Sequence, residues 1–525
     1  LSERTRDFFP AFFPAFFPIG ALTLCFAAIA GLWATGAARV WPVAVQMGAY
    51  LFYGWLLRDS LSIRWTWRTV FAAALAVRLP LLFVEPAYSD DLFRYMWEGR
   101  VQRAGFNPYA IPPDAPALAF LDGDGLSQRV NHPHLAAIYP PFAQMTFALG
   151  ALMGADGSAR AFKASLVGWE FLAMGAMALW LKRRRRGPKG LLLYALNPLV
   201  VVEVAGNGHY DFLVAGAMAL FFWALLTGRG ARAGICLGLA IATKFLPVVL
   251  APFLLFQGSL SARKRPSPSE RPSSSPLQGA QGNSWERGQP PKPPEQKSFP
   301  QRKSFQGSRA FLAMLAALGV LYFPYLGAGR DIFGSLGVYA LKWQRNAPIF
   351  PAVEWAAEES GLAAWLDAAT WTDDPQPNIG RRALGFHPEA RHAQQIAKRI
   401  VALAWLALAG VVFWRAGKRW RRRGVPPALE PIAEALVGAA LLMAPILYPW
   451  YLLLLFPMLL GRFRLAWHWV FALTPLFYLP VASGAEPPLS ELAARWIVFG
   501  PAAMLLLLAE RKANHGRPFG NEKRF

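Results

Sequence analysis

The chain has almost no cysteine. Cys25 and Cys236 are its two, and each stands inside an apolar run. A disulfide framework is therefore excluded, and so is a thiolate metal site. Acidic residues are also scarce, 31 against 54 lysines and arginines, which leaves a net charge of +23. In a soluble protein that excess would point to nucleic acid. Here the bases sit in short clusters between long apolar stretches, so no nucleic-acid partner is expected and the charge reports orientation in a membrane instead. A basic n-region followed by a cleavage site is missing as well, so the first apolar run is expected to anchor the chain itself.

What the chain does have is apolar length. Hydrophobic residues make up 55% of its 525 positions and come in runs rather than stripes. Runs long enough to cross a bilayer as helix lie near 19–37, 41–57, 69–85, 160–181, 190–205, 211–227, 310–327, 398–415, 430–447, 465–482 and 491–509, with shorter ones at 233–243, 246–256 and 450–461. The fold class expected is an all-α polytopic membrane protein. The basic clusters Lys182–Arg186, Arg229 with Arg232, Arg415–Arg423, Arg462 with Arg464, and Arg511 with Lys512 set the cytoplasmic side, which puts both termini inside.

That constraint decides two ambiguous segments. Residues 140–156 are read as a half-inserted helix on the outer face, and 233–256 as a hairpin of two short helices with Thr243-Lys244-Phe245 at its outer tip. Prolines at every fourth position from Phe8 to Pro18 argue against a regular helix there. Residues 257–309 turn abruptly to Pro, Ser, Gln, Gly, Lys and Arg and are read as a disordered cytoplasmic linker. The expected division is an N-terminal part with two extra helices (1–68), a core (69–256) with a first outer loop at 86–159, the linker, C-terminal helices (310–510) with a second outer loop at 328–397, and a cytoplasmic tail (511–525).

On this topology the chemically interesting residues fall on one face. The first outer loop opens with Ser89-Asp90-Asp91-Leu92-Phe93-Arg94-Tyr95-Met96-Trp97-Glu98-Gly99-Arg100, a cluster of ionisable groups at a bilayer edge, where such groups are costly and mark function. Asn107, Tyr109, Tyr139, His209, Asp211, Lys244, Trp343, Arg345, Tyr448 and Trp450 come from other outer segments. The inner face carries basic runs and the linker. A site assembled from several loops at one interface suits a substrate with a lipid tail and a polar head. Neither His132-Pro133-His134 nor His209 with Asp211 has metal-ligand spacing, so no divalent metal or other cofactor is expected.

Ser89-Asp90-Asp91-Leu92-Phe93-Arg94-Tyr95, then Glu98-Gly99-Arg100 and Gly105-Phe106-Asn107-Pro108-Tyr109, resembles the first outer loop of bacterial GT-C glycosyltransferases, above all the polyprenyl-phosphate-mannose-dependent mannosyltransferases of the α-1,6 type. Tyr139-Pro140-Pro141, Gly206-Asn207-Gly208-His209-Tyr210-Asp211, Gly238-Leu239-Ala240 with Thr243-Lys244, and Tyr448-Pro449-Trp450-Tyr451 continue the likeness in order, from residue 69 to about 460. Phe245 stands where relatives often have Gly, and Tyr448 where they often have His.

The resemblance implies a GT-C bundle of about 12–14 membrane helices with two large outer loops. It also implies an acidic catalytic base in the first loop, Asp91 ahead of Asp90. The implied reaction is inverting transfer of a hexose, mannose first, from a polyprenyl-phosphate donor to a glycan or glycolipid acceptor, outside a bacterial inner membrane. A base must take the acceptor proton and cations must meet the leaving phosphate. Lys244, Arg94, Arg100 and Arg345 are the candidate cations, and Tyr95, Glu98, Asn107, Tyr109, Tyr139, His209, Asp211, Trp343, Tyr448 and Trp450 the remaining substrate contacts. Competing readings are an Asp91 that merely pairs with Arg94 or Arg100, a snorkelling Lys244 and interfacial aromatic anchors. A flippase for a polyprenyl-linked sugar is the rival function, although no inverted repeat is visible, and a glycan polymerase or ligase is a third.

Overall fold

A computed structural model describes residues 8–59, 64–153, 158–255, 305–365, 391–423, 428–479 and 489–514. Most of the linker lies outside the described residues. Among those described, the architecture is helical, with two isolated β-bridges joining Arg345 and Asn346 to Ile446. Most of the apolar runs become helices within a few residues of the expected limits: Val40–Asp59, Trp67–Leu82, Ala159–Arg183, Phe212–Leu226, Leu429–Met443 and Glu491–Asn514. Five helices among the described residues are long and apolar enough to cross a membrane, six when Lys189–Ala195 and Pro198–Gly206, bent by 49°, are taken as one span. The expected 12–14 spans are thus not all continuous helices, because proline and polar residues break several runs into shorter pieces. The run at 465–482 is α-helical through Leu473 and continues as a 3-10 turn to Tyr478.

The bend at 195–198 has a local cause. Pro198 cannot continue the preceding ladder, and the Asn197 side chain caps the new helix by accepting from the Leu199 N–H at 3.0 Å. Tyr50 donates to the same Asn197 oxygen at 2.8 Å, which fastens the second helix to the break. At the N-terminus the expectation was wrong, since Phe8–Ala34 is one helix through Pro10, Pro14 and Pro18. A spacing of four lines the prolines along one stripe, so the missing N–H groups fall on a single face.

A buried ion pair ties three helices together. Arg78 meets Glu170 through two parallel bonds of 2.6 and 2.7 Å and gives its remaining nitrogen to the carbonyls of Ala74 and Ala195, while Tyr194 donates to Glu170 at 3.0 Å. Both charged side chains are fully buried, and their geometry leaves few donors unsatisfied.

Helix Ala159–Arg183 gives the molecule two ends. Near its start Lys163 donates to the carbonyls of Leu81, Val84 and Gly206. At its other end, roughly 37 Å away for 25 residues, Arg183 bonds the Leu226 carbonyl, Arg184 pairs with Glu430 and Arg186 reaches Gly461. Arg183, Arg184 and Arg186 therefore gather at the end remote from the 84–91 and 206–211 turns.

The two segments read as non-spanning are short. Pro141–Met153 has 13 residues, about 20 Å of helix, and lies along Asp91–Arg103, where Gly99 permits contact with the Phe147 carbonyl. Gly230–Ile241 ends in a turn at Ala242–Lys244, followed by a 3-10 stretch at Leu246–Leu250. Ala242 accepts from the Phe142 N–H at 2.7 Å, which brings the tip bearing Lys244 beside the first outer loop.

Candidate functional site

Six chain segments meet at one cavity of about 530 Å³, the sixth bringing Phe477 and Tyr478. The first loop contributes Asp90, Asp91, Arg94, Tyr95, Asn131, His132 and Tyr139; the 206–211 turn contributes Tyr210 and Asp211; the helix-pair tip contributes Lys244. Tyr339, Trp343 and Arg345 come from the second loop, and Tyr448, Trp450 and Tyr451 from the segment after Met443. Of the residues expected to share one face, Asp90, Asp91, Arg94, Tyr95, Tyr139, Asp211, Lys244, Trp343, Arg345, Tyr448 and Trp450 line the cavity. The β-bridges at Ile446 explain part of the convergence: Arg345 donates its N–H to the Pro445 carbonyl at 3.1 Å and accepts from the Leu447 N–H at 2.8 Å, which pins Trp343–Arg345 next to Tyr448.

Asp91 is the first residue of helix Asp91–Arg103, where the helix dipole favours a carboxylate. Its Oδ1 accepts from Asn131 Nδ2 at 2.7 Å, and the same amide donates to Asp90 Oδ1 at 2.8 Å. Its Oδ2 accepts from the Tyr95 hydroxyl at 3.4 Å. Burial pushes the Asp91 carboxyl up to about 6, with the Asn131 hydrogen bond opposing and the Asp90 charge adding to the rise. A base poised just below neutrality both accepts a proton readily and stands ionised at pH 7.

In the same cavity, Lys244 pairs with Asp211 Oδ1 and stands over the Tyr451 ring, 3.3 Å from its centre. Burial draws the lysine below its ordinary range, against the pull of Asp211. Arg345 lines the cavity with no ion pair within 4 Å among the described residues, although Glu491, which accepts from the Asn346 N–H, lies within reach of its charge. His132 meets Trp343 edge to face at 4.8 Å, and Tyr448 stacks on Trp450 at 4.5 Å, so the cavity has flat aromatic walls.

Several expected contacts need correction. Arg94 borders the cavity, yet its three nitrogens are engaged: Nε with Glu98 at 2.8 Å, Nη1 with the carbonyls of Asn131 and His132, and Nη2 with those of Leu135 and Ala136. It braces the loop and has no donor left for phosphate. Glu98 is buried between Arg94 and Gln144. Arg100 forms a paired fork with Asp124 at 2.7 Å away from the cavity. Asn107 caps Tyr109 N–H and donates to the Tyr325 carbonyl, and the Tyr109 hydroxyl donates to the Tyr139 carbonyl at 2.5 Å, so both hold the loop in place. His209 is fully buried behind the wall, stacked on Trp450 at 3.7 Å.

Sequence reading missed Asn131, Tyr210 and Tyr339 as site-lining residues. Nothing local marks Asn131, some 40 positions from the two aspartates that its amide joins. Among the described residues no group of three or more His, Cys, Asp or Glu is arranged to hold a metal ion.

Residues 15–258 match the family model for the alpha-(1->6)-mannopyranosyltransferase N-terminal domain. The chain resembles that family. It is 26% identical over 226 residues to alpha-(1->6)-mannopyranosyltransferase A of Mycobacterium tuberculosis, a match covering 42% of this chain and 43% of that protein. With the protein of the same name from Corynebacterium glutamicum it is 22% identical over 213 residues, 38% of this chain and 40% of the relative. The chain thus aligns with about two fifths of the length of these relatives. The family match takes in the first two helices and the segments bearing Asp90, Asp91, His209, Asp211 and Lys244. It ends before Trp343, Arg345 and Tyr448, whose place at the cavity comes from the fold.

Proposed function

We propose that the chain is a mannosyltransferase that moves mannose from a polyprenyl-phosphate donor to a hydroxyl of a glycan or glycolipid, in one displacement that inverts the anomeric centre. The observation that carries this reading is that one cavity is lined by a carboxylate at Asp91, raised by burial, and by cations at Lys244 and Arg345. Asp91 Oδ2 takes the acceptor proton as its oxygen bonds to the anomeric carbon, and the bond to phosphate breaks with its electron pair on the phosphate oxygen. Lys244 and Arg345 meet the charge that grows there, an interaction stronger in the transition state than before it. Trp343 and Tyr448 offer faces for sugar rings, and Asp90, Tyr95, Tyr139 and Asp211 shape the polar wall.

Similarity to mannosyltransferases supports the sugar, and the apolar helices around the cavity support a lipid-linked donor. Arg183, Arg184 and Arg186 at the remote end support a cavity on the outer, periplasmic side of a bacterial inner membrane. Because the phosphate-binding cations are side chains of the protein, the reading needs no metal or other cofactor. Purified protein incubated with labelled polyprenyl-phosphate mannose and a mannan acceptor should release polyprenyl phosphate and label the acceptor, with turnover unaffected by chelator. Donor carried across vesicles without cleavage would overturn the reading in favour of a flippase.

A further inference from the structure

Behind the Asp91 wall lies a chain of polar groups that the proposed reaction does not use. The helix turn at Val202–Gly206 has π geometry, and it aims Glu203 into the interior, fully buried. Glu203 Oε1 accepts from the Tyr478 hydroxyl at 2.6 Å and Oε2 from Asn207 at 3.1 Å. Gly208, at φ +79°, packs so tightly against Leu92 that a side chain there would collide, and this turn folds His209 back over Glu203. His209 Nε2 faces Glu203 Oε2 at 3.5 Å, and Nδ1 faces the Tyr95 hydroxyl at 3.4 Å and Asp91 Oδ2 at 4.0 Å. The Trp450 ring covers the imidazole and keeps water out.

Two bare electron pairs facing each other in a dry pocket repel, so each gap flanking the imidazole needs a proton. With a proton on Nδ1, Tyr95 accepts from His209 and its own hydrogen turns to Asp91. With Nδ1 bare, the hydroxyl would turn to the imidazole and Asp91 would lose a donor. We infer that His209 and Glu203 are positioning residues for Asp91: Glu203, buried and without a lysine or arginine partner among the described residues, is held as the neutral acid and donates from Oε2 to Nε2, so the imidazole carries its own proton on Nδ1, toward Asp91 and the Tyr95 hydroxyl, and this keeps the carboxylate ionised. The inference rests on the reading of Asp91 as base, although the chain of contacts is independent of it. The other charged and titratable groups facing Asp91 are Asp90 just before its helix and Arg94 on it, Lys244 at the helix-pair tip, Asp211 after the turn, and the hydroxyls of Tyr139, Tyr210, Tyr339, Tyr448 and Tyr478.

The test is an infrared pH titration of the intact protein in detergent, following the carboxyl band that disappears in Asp91→Asn. Its midpoint should lie at about 6. His209→Phe keeps the stack on Trp450 but removes the N–H that holds the Tyr95 hydrogen on Asp91, and should raise the midpoint by up to roughly one pH unit. His209→Asn puts an amide where Nδ1 stood and should restore most of the shift. His209→Gln reaches the Nε2 position instead and should behave like Phe, which keeps the idea testable if His209→Phe does not fold. An unmoved midpoint in both Phe and Gln variants, or equal shifts in Asn and Phe, would overturn it. Turnover of Asp91→Asn separates the two readings: a fully active Asp91→Asn removes the base, whereas an inactive one with an unmoved His209→Phe midpoint removes only the positioning role.

Discussion

Lys244 holds its ammonium 3.3 Å from the centre of the Tyr451 ring. It also pairs with Asp211, so the cation is fixed from two sides and faces the cavity with its third. An ammonium placed this way has little freedom to lose when phosphate arrives. Lys244→Met retains most of the apolar stem and should lower kcat/KM for the lipid-linked donor by roughly 10²- to 10³-fold. Normal detergent-extracted yield and thermal melting of the same variant should show that the fold survives. Wild-type donor kinetics in Lys244→Met would remove the residue from the phosphate site.

Asp91→Asn leaves shape and the Asn131 contact largely intact but cannot take a proton, so kcat should fall by roughly 10²-fold or more with donor affinity retained. Asp90→Asn should do less, because Asp90 has no counterpart of the Tyr95 contact. The wild-type pH profile follows from the Asp91 carboxyl. Activity needs the ionised form, so kcat/KM should fall as pH drops through about 6 and level off above it. A profile flat down to pH 4.5, or a larger defect in Asp90→Asn, would reassign the base.

Arg94 and Arg345 should separate cleanly. Arg345→Gln is expected to raise the donor KM about tenfold or more while leaving thermal stability unchanged, since it removes one charge-assisted contact to phosphate. Arg94→Gln abandons Glu98 and the four carbonyls from Asn131 to Ala136, and should lower stability by about 3–5 kcal/mol, as loss of one partner of a buried ion pair does. Melting curves and donor titrations of the two variants together check the assignment, and a stable Arg94→Gln with weakened donor binding would reverse it.

The Arg78–Glu170 pair gives a stability test remote from the cavity. Arg78→Met leaves a buried carboxylate without its cation and should cost about 3–5 kcal/mol. Adding Glu170→Leu removes the stranded charge and should recover a large part of that loss. Additive destabilisation in the double variant would mean that the two side chains are not energetically coupled.

Much of this molecule was already determined by local sequence. Apolar length fixed where most of the helices run, because a stretch such as 160–181 forms its hydrogen bonds within itself and needs no distant partner to do so. Alternation of basic clusters with apolar runs put Asp91, Asp211, Lys244, Arg345 and Tyr448 on one face, and the packing brings all five to one cavity. Tertiary structure alone decided what each polar side chain does there. Arg94 and Arg345 are the same residue type in neighbouring loops, yet one has its nitrogens engaged by loop carbonyls and Glu98 while the other stands at the cavity without an ion pair among the described residues. His209 sits between two glycines and an aspartate in the chain, and only the π turn and the Trp450 ring turn it inward, away from substrate. The reason is that a buried polar group is satisfied by whichever donor or acceptor the fold brings within about 3 Å, and for Arg94, His209 and the two aspartates under Asn131 most of those partners, Glu98 and Glu203 apart, lie tens to hundreds of residues away along the chain.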